Sequence, residues 1–238
     1  MKKVLLTAAI LLSVSMVGCD RVKSAYDKVK FWEKDKESDA VQVTVTNTTP
    51  GSFLTPILAV GHGDEQGKMF EYGSAASAEL QAVAEGGNIE PIVATFNATD
   101  SQIVKNPNGG LLGPGESTTF KIDPSYTRLS LIAMILPTND GFVAANNIVI
   151  REGSQELYAI DAGTEANDEQ ITGGAAPNSP GIPADPGGEA VAEATGIASA
   201  TIEGKVDRHP GISGGEGSAL NPELHGWKGA VAVLAIEM

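Results

Sequence analysis

Apolar and polar residues alternate along most of the chain, a pattern typical of β-strands that bury one face. The run 129–136 differs, because it is apolar at every position except Ser130. Such a run predicts a central strand that is buried on both faces. The predicted strands are 41–46, 55–60, 118–122, 129–136, 147–150, 201–206 and 230–237.

One segment, 77–85, has the spacing of a helix instead. Its apolar residues share one helical face, serines at its start can cap it, and Gly86-Gly87 ends it. The segment 171–190 is rich in glycine and proline and predicts a long loop. Because strands do not alternate regularly with helices, we expect an all-β domain over 41–238. Its predicted architecture is an antiparallel β-sandwich with one short helix and long loops.

The composition supports this interpretation and narrows the chemistry. The 238 residues include 28 glycines and 13 prolines, which disfavour a coiled coil or a helical bundle. The single cysteine excludes an intrachain disulfide and a thiolate zinc cluster. The net charge is −14, and residues 40–238 alone hold 24 acidic and 8 basic side chains. A surface this acidic repels phosphate, so we expect no nucleic-acid partner and an affinity for cations.

The N-terminus predicts export. Lys2 and Lys3 precede an apolar run, Val4 to Val17, whose 14 residues are too few to span a membrane comfortably. Residues 1–18 are therefore predicted to be a signal peptide. The neutral, highly charged segment 19–40 is then a tether, either a solvated spacer or an amphipathic helix on the membrane surface.

The end of the signal segment, Met16-Val17-Gly18-Cys19, resembles a bacterial lipobox. The resemblance implies that Cys19 is lipidated and anchors the protein in the cell envelope, at the periplasmic face of the inner membrane or in the outer membrane. The alternative is an ordinary signal peptide cleaved near Gly18, which would leave Cys19 as a free thiol.

Two segments carry oxygen-rich chemistry. Asp140 lies in PTNDGF (137–142), directly after the predicted central strand, so its position is fixed by packing. The segment 161–169 holds five acids or amides within nine residues. Hard cations such as Ca²⁺ take six to eight oxygen ligands, and Gly163 allows a tight loop around such an ion. The alternative is an acidic loop that is merely solvated.

Several of these segments together resemble the spondin domain, a family of extracellular and bacterial secreted proteins. They are VTVTNTTPGSFLTP (43–56), His62, ASAELQAVAEGG (76–87), LGPGES (112–117), LSLIAMILPTNDGFV (129–143), YAIDAGTEANDE (158–169) and HPGI (209–212). The resemblance implies an antiparallel β-sandwich with a bound calcium ion. Its ligands would be Asp140, Asp161 and Glu165, the last standing where many relatives have Asp.

The predicted function is that of a lipid-anchored, exported, calcium-binding module for adhesion or for binding a protein or an extracellular polymer. We expect no catalytic activity, because no nucleophile–base pair is evident and Asp161-Ala162-Gly163-Thr164 occurs once, without the second carboxylate of an aspartic protease. The alternatives are an extracytoplasmic hydrolase with a structural calcium ion and a spacer module in which the ion only supports the fold.

Overall fold

Two antiparallel sheets form a sandwich in the computed structural model, which describes residues 40–169 and 204–238. These residues belong to one unit, Ala40–Met238. The predicted signal peptide, the tether before Ala40 and the predicted loop at 171–190 lie outside the described residues.

The smaller sheet has four strands in the order β5-β1-β11-β8. Its two central strands come from the two ends of the domain: β1 pairs antiparallel with β11, so that Val43 lies opposite Ile236. In β1, residues with buried side chains alternate with less buried ones, as the sequence pattern predicted. The strands are β1 (Val41–Asn47), β5 (Ser117–Ile122), β8 (Gly153–Leu157) and β11 (Ala232–Glu237).

The larger sheet has seven strands in the order β10-β9-β7-β6-β3-β4, with β2 also pairing with β6. Its central strand, β6, is the predicted apolar run and is buried along almost its whole length. The strands are β2 (Phe53–Leu54), β3 (Leu58–His62), β4 (Ser101–Lys105), β6 (Arg128–Leu136), β7 (Gly141–Val149), β9 (Ala159–Asp161) and β10 (Asp207–Arg208).

Burial of β6 on both faces has a structural cause. Leu129, Leu131 and Ala133 belong to the core between the two sheets. Ile132 belongs to a second core, which two helices form on the outer face of the larger sheet. The fold therefore has three layers, and the prediction that β6 is buried on both faces is confirmed.

The helices are α1 (Ala78–Gly86) and α2 (Glu90–Asn97). The first is the predicted helix: the Ser77 side chain accepts a hydrogen bond from the Leu80 backbone N–H, and Gly87 ends it in the left-handed conformation at φ 63°. The second was not predicted, so the expectation of one short helix is wrong. A proline in its first turn fits the start of a helix. Neither described helix is long and apolar enough to span a membrane.

Three predicted strands differ from the observed ones. The predicted strand 55–60 overlaps only β3, which begins at Leu58, and the short β2 ends before it. The predicted strand 147–150 is only the end of β7, which begins at Gly141. The predicted strand 201–206 lies partly outside the described residues. The strand observed nearby is β10, which begins at Asp207.

A buried polar network fixes an irregularity between β6 and β7. The strand register shifts between Leu129 and Leu131, so that Ser130 lies at a bulge. The Ser130 hydroxyl lies 2.9 Å from His62 Nε2 and accepts a 3.0 Å hydrogen bond from the Asn147 backbone N–H. His62 Nδ1 lies 2.8 Å from the Gly63 carbonyl, which can only accept, so Nδ1 carries the proton and the Ser130 hydroxyl donates to Nε2.

Replacing Ser130 with alanine should lower the free energy of unfolding by about 1–3 kcal/mol, because the buried His62 ring nitrogen and the partly buried Asn147 N–H would lose their partner. Urea denaturation monitored by circular dichroism measures this change. Ser154→Ala, at an exposed position of the edge strand β8, is the control and should change stability by less than about 0.5 kcal/mol. Equal stability of the two variants would contradict the inferred role of the network.

Candidate metal centre

The strand directions place the predicted site residues at one end of the sandwich. β1 and β8 run in the same direction, because both pair antiparallel with β11. β7 ends at Val149, just before β8 starts at Gly153, so β7 begins at the opposite end of the domain. Eight steps of about 3.3 Å give β7 a length of about 26 Å. Asp140, directly before β7, therefore lies far from Ala40, where the chain leads into β1.

We call the end that holds Asp140 and Asp161 the distal end. The turn between β6 and β7 fixes Asp140 there. The Thr138 hydroxyl donates a 2.6 Å hydrogen bond to the Ile135 carbonyl and accepts one of 3.0 Å from the Gly141 backbone N–H. Gly141 is paired with Asp161, because β9 runs antiparallel beside β7. The two aspartates are therefore brought together by neighbouring strands.

The loop after β9 wraps around the Asp140 carboxylate. Asp140 Oδ2 accepts hydrogen bonds from the backbone N–H groups of Thr164, at 2.7 Å, and Glu165, at 3.0 Å. It also accepts one of 3.2 Å from the Thr164 hydroxyl. The other carboxylate oxygen, Asp140 Oδ1, is buried and has no hydrogen-bond partner in the part of the chain that the structure describes. Asp140 is thus oriented through one oxygen, which leaves the second for another ligand.

Glycine is required at position 163 for two reasons. Its φ is +68°, and a β-carbon there would lie 2.6 Å from the Lys205 backbone nitrogen. The Gly163 backbone N–H donates a 2.7 Å hydrogen bond to Asp161 Oδ1. The Asn167 side chain donates to the other oxygen of Asp161. The loop is therefore closed around Asp161 and packed against the backbone at 204–205.

The electrostatics of the pair Asp140 and Asp161 are unfavourable. Asp140 has no exposed surface, and Asp161 is 3% exposed. Burial, and then the charge of Asp161, raise the pKa of Asp140 to about 7. Burial also raises the pKa of Asp161. In the described part of the chain, no basic side chain contacts either carboxylate. Residues 40–169 and 204–238 therefore supply no counter-charge to the pair.

The structure places all three predicted ligands at the distal end and buries each of them. Asp140 contacts the backbone of Glu165, and Asp161 acts on Asp140 through its charge. However, among the described residues no three His, Cys, Asp or Glu side chains form a group that could hold a metal ion as they stand. An ion bound here would have to draw the Glu165 carboxylate or backbone carbonyls toward Asp140.

Two polar residues near this site were missed by the sequence analysis. Asn139, which is 2% exposed, donates from Nδ2 to Glu165 Oε2 at 3.3 Å and to Asp168 Oδ1 at 2.9 Å. Glu169 is 4% exposed and was counted only as one of several acidic residues. The roles of Asn139 and Glu169 depend on contacts with distant parts of the chain. In the sequence, the one signal for these two residues is that they lie within the two oxygen-rich segments.

Comparison with protein-family models shows which family this chain belongs to. A family model described as Spondin_N matches residues 46–187. The chain belongs to the spondin N-terminal domain family. A search of curated proteins gave no match. The spondin match includes Asp140, Asp161 and Glu165, but it ends before the HPGI segment at 209–212.

The raised pKa of Asp140 predicts a pH-dependent stability in calcium-free buffer. Because this pKa is about 7 in the folded state and about 3.8 ordinarily, the folded state binds the proton more tightly. The stability of the wild type relative to Asp140→Asn should therefore fall as pH rises from about 4 to about 7, by up to about 4 kcal/mol. Urea denaturation of both proteins at several pH values measures this difference. Groups remote from position 140 cancel in it, whereas Asp161 contributes, because its charge acts on Asp140. A pH-independent difference would contradict the assignment.

Proposed function

We propose that this spondin-family domain is an extracytoplasmic binding module whose distal end takes up a calcium ion at Asp140, Asp161 and Glu165. The single observation that carries the proposal is the buried pair Asp140 and Asp161: no basic side chain among the described residues contacts it, and among those residues Asp140 Oδ1 has no hydrogen-bond partner. A buried carboxylate pair must gain either a proton or a cation. At neutral pH and in the presence of calcium, a cation is the favoured solution.

The chemistry of the donor set suits calcium. The predicted ligands are carboxylates, and a hard divalent cation with flexible coordination prefers such oxygens, together with backbone carbonyls and water. Three carboxylates on one divalent ion leave a net charge of −1. When bound, the ion would neutralise the repulsion between Asp140 and Asp161. The protein orients the ligand, because the backbone N–H groups at 164 and 165 hold Asp140 in a fixed orientation.

The position of the site supports a role in binding. The chain enters the domain at Ala40, and the site lies at the distal end, at the far end of β7. We propose that residues 1–18 are a signal peptide and that lipidated Cys19 anchors the mature protein in the cell envelope through the tether 19–40. The covalent attachment to the membrane then reaches the domain at the end remote from the calcium site. The proposed partner is a protein or an extracellular polymer, and no nucleic acid is expected.

A binding role is preferred over the hydrolase alternative. Ser130 and His62 are the pair in the described part of the chain that most resembles a nucleophile and its base, with Ser130 Oγ 2.9 Å from His62 Nε2. Both residues are fully buried. The Ser130 hydroxyl also accepts a hydrogen bond from the Asn147 backbone N–H, and His62 Nδ1 contacts the Gly63 carbonyl. A substrate could not reach this pair, and we propose that the protein is not an enzyme.

Calcium should raise the melting temperature of the wild type, because an ion that binds only the folded state stabilises it by mass action. At 100 times the dissociation constant the gain is about 2.7 kcal/mol, which corresponds to a shift of several degrees for a domain of this size. Magnesium should do less, because it requires a tighter octahedral shell. Differential scanning calorimetry over a calcium titration measures the shift.

The matched variants locate the ion. Asp140→Asn, Asp161→Asn and Glu165→Gln should each reduce the calcium-dependent shift by more than half. Glu152→Gln, which changes an exposed carboxylate between β7 and β8 at the other end of the domain, should keep the full shift. If the three site variants respond to calcium as the wild type does, the ion binds elsewhere or not at all.

Lipidation is tested independently of calcium. The mature protein extracted from membranes should begin at Cys19 and carry the added mass of acyl chains, which intact-mass spectrometry detects. Cys19→Ser should lack this mass and should no longer fractionate with membranes, because the acyl chains provide the anchor. A wild-type chain that has been cut near residue 18 but carries no added mass would establish the ordinary signal peptide instead.

A further inference from the structure

A groove lies at the distal end, beside the proposed calcium site. It has a volume of about 670 Å³, and its lining includes Pro50, Pro210, Ile212, Pro222 and Trp227. Pro50 follows the end of β1, and Trp227 precedes the start of β11. Both strand ends belong to the distal end, because β1 and β11 are antiparallel.

A chain of buried and partly buried hydrogen bonds leads from the proposed ligand Glu165 toward this groove. Its first member is Asn139, whose side-chain N–H₂ donates to Glu165 Oε2 and to Asp168 Oδ1. The Asn139 side-chain oxygen accepts a 3.2 Å hydrogen bond from the Glu169 backbone N–H. Asn139 therefore holds both a carboxylate oxygen of the site and the backbone at the end of the site loop.

Glu169 is the second member and joins the site loop to the segment 209–218. Its carboxylate accepts hydrogen bonds from the backbone N–H groups of Ser213 and Gly214, the latter at 2.9 Å, and from the Ser218 hydroxyl. Burial by itself raises the pKa of Glu169, but these hydrogen bonds outweigh it, and the pKa is lowered. The carboxylate is thus kept charged, and it holds the segment that includes the groove residues Pro210 and Ile212.

His209 provides a second, direct contact between site and groove. Its ring packs edge-on against Trp227, with 5.2 Å between ring centroids. The same ring lies against Gly141, the residue after Asp140, where a β-carbon would come within 2.9 Å of His209 Cδ2. The His209 backbone N–H also donates a 3.2 Å hydrogen bond to the Ala159 carbonyl in β9. A displacement at the start of β7 or in β9 therefore reaches the Trp227 ring through one intervening side chain.

We infer that Asn139 and Glu169 are positioning residues that couple calcium occupancy to the groove at Trp227. This inference rests on the proposed calcium function. An ion that draws the Glu165 carboxylate toward Asp140 would weaken its hydrogen bond to Asn139. Asn139 also holds the Glu169 backbone, and the Glu169 carboxylate holds the segment 209–218, so a shift of Asn139 would move that segment. The coupling is reciprocal, so a molecule bound in the groove would change the calcium affinity by the same factor.

The test uses the full chain with Trp32→Phe, which leaves Trp227 as its one tryptophan. Calcium is titrated while tryptophan fluorescence and, in parallel, binding heat are recorded. The expected result is a calcium-dependent change in emission whose midpoint matches the calorimetric dissociation constant. The change should disappear in a variant that also carries Trp227→Phe. Calcium binding without any change in emission would overturn the inference but leave the calcium function intact. Absence of calcium binding by calorimetry would overturn both.

Glu169→Gln tests whether Glu169 transmits the effect of calcium to the groove, a role that we call the relay. Its side chain keeps the shape but cannot reproduce all the acceptor contacts of the carboxylate, so the fluorescence change should fall by at least half while the calcium affinity stays within about threefold. Asn139→Ala should also reduce the emission change by at least half, because it removes the hydrogen bonds that link Glu165 to the Glu169 backbone. The control is Glu216→Gln, at an exposed position in the same segment, which should behave as the parent.

A purely structural role for Glu169 would give a different result. Glu169→Gln would then lower the melting temperature but keep the full emission change, and this outcome would overturn the relay. If Glu169→Gln does not fold, Ser218→Ala replaces it, because that variant removes a single donor to the same carboxylate. Ser218→Ala should reduce the emission change, and an unchanged response in Ser218→Ala would also overturn the relay.

Discussion

The distal end of this domain is organised around the carboxylate of Asp140, which is fully buried and close to a second buried aspartate. A buried charge is tolerated only when hydrogen bonds or a counter-charge compensate for the lost hydration. The described residues provide three hydrogen bonds to one oxygen of Asp140 and none to the other. The loop 161–165 takes its path from this requirement, because its backbone N–H groups must point at Asp140.

Pairing of the first strand with the last explains how the site and the groove come to share one end. β1 and β11 are neighbours in the smaller sheet, so the segments that follow β1 and precede β11 meet at the distal end. The hairpin β6–β7 and the neighbouring β9 bring Asp140 and Asp161 to the same end in the other sheet. Parts of the chain that are distant in sequence therefore form one surface, and the spondin match covers only some of them.

Much of the fold could be predicted because the pattern of side chains reports burial directly. The apolar run of β6 indicated burial on both faces, and the alternation in β1 and β5 gave their positions to within a residue or two. Helix α2 could not be recognised in the same way. It is short and contains β-branched residues with weak helix propensity, and packing of Ile92, Val93 and Phe96 against the larger sheet stabilises it. The start of β7 was hidden by the glycine and asparagines among its residues.

The candidate site, like the fold, could be predicted only in part from the sequence. Asp140 and Asp161 stand out in sequence, because each follows an apolar run and lies in an oxygen-rich segment. Asn139 and Glu169 do not, because their partners include residues 26 to 49 positions away. Long-range contacts of this kind depend on how loops pack together, and residue type alone does not report that.

The hydrogen bonds of Glu169 also limit how strongly site and groove can be coupled. Each contributes about 1.5–3 kcal/mol net when one partner is charged, and a ligand can shift an equilibrium only by its differential affinity for the two states. Rearranging one of these bonds already costs about as much as the 1–3 kcal/mol typical of linked sites, whereas losing all three would cost more. With one bond rearranged, a calcium ion at Asp140 would shift the equilibrium between two arrangements of the segment 209–218 by about 5-fold to 150-fold.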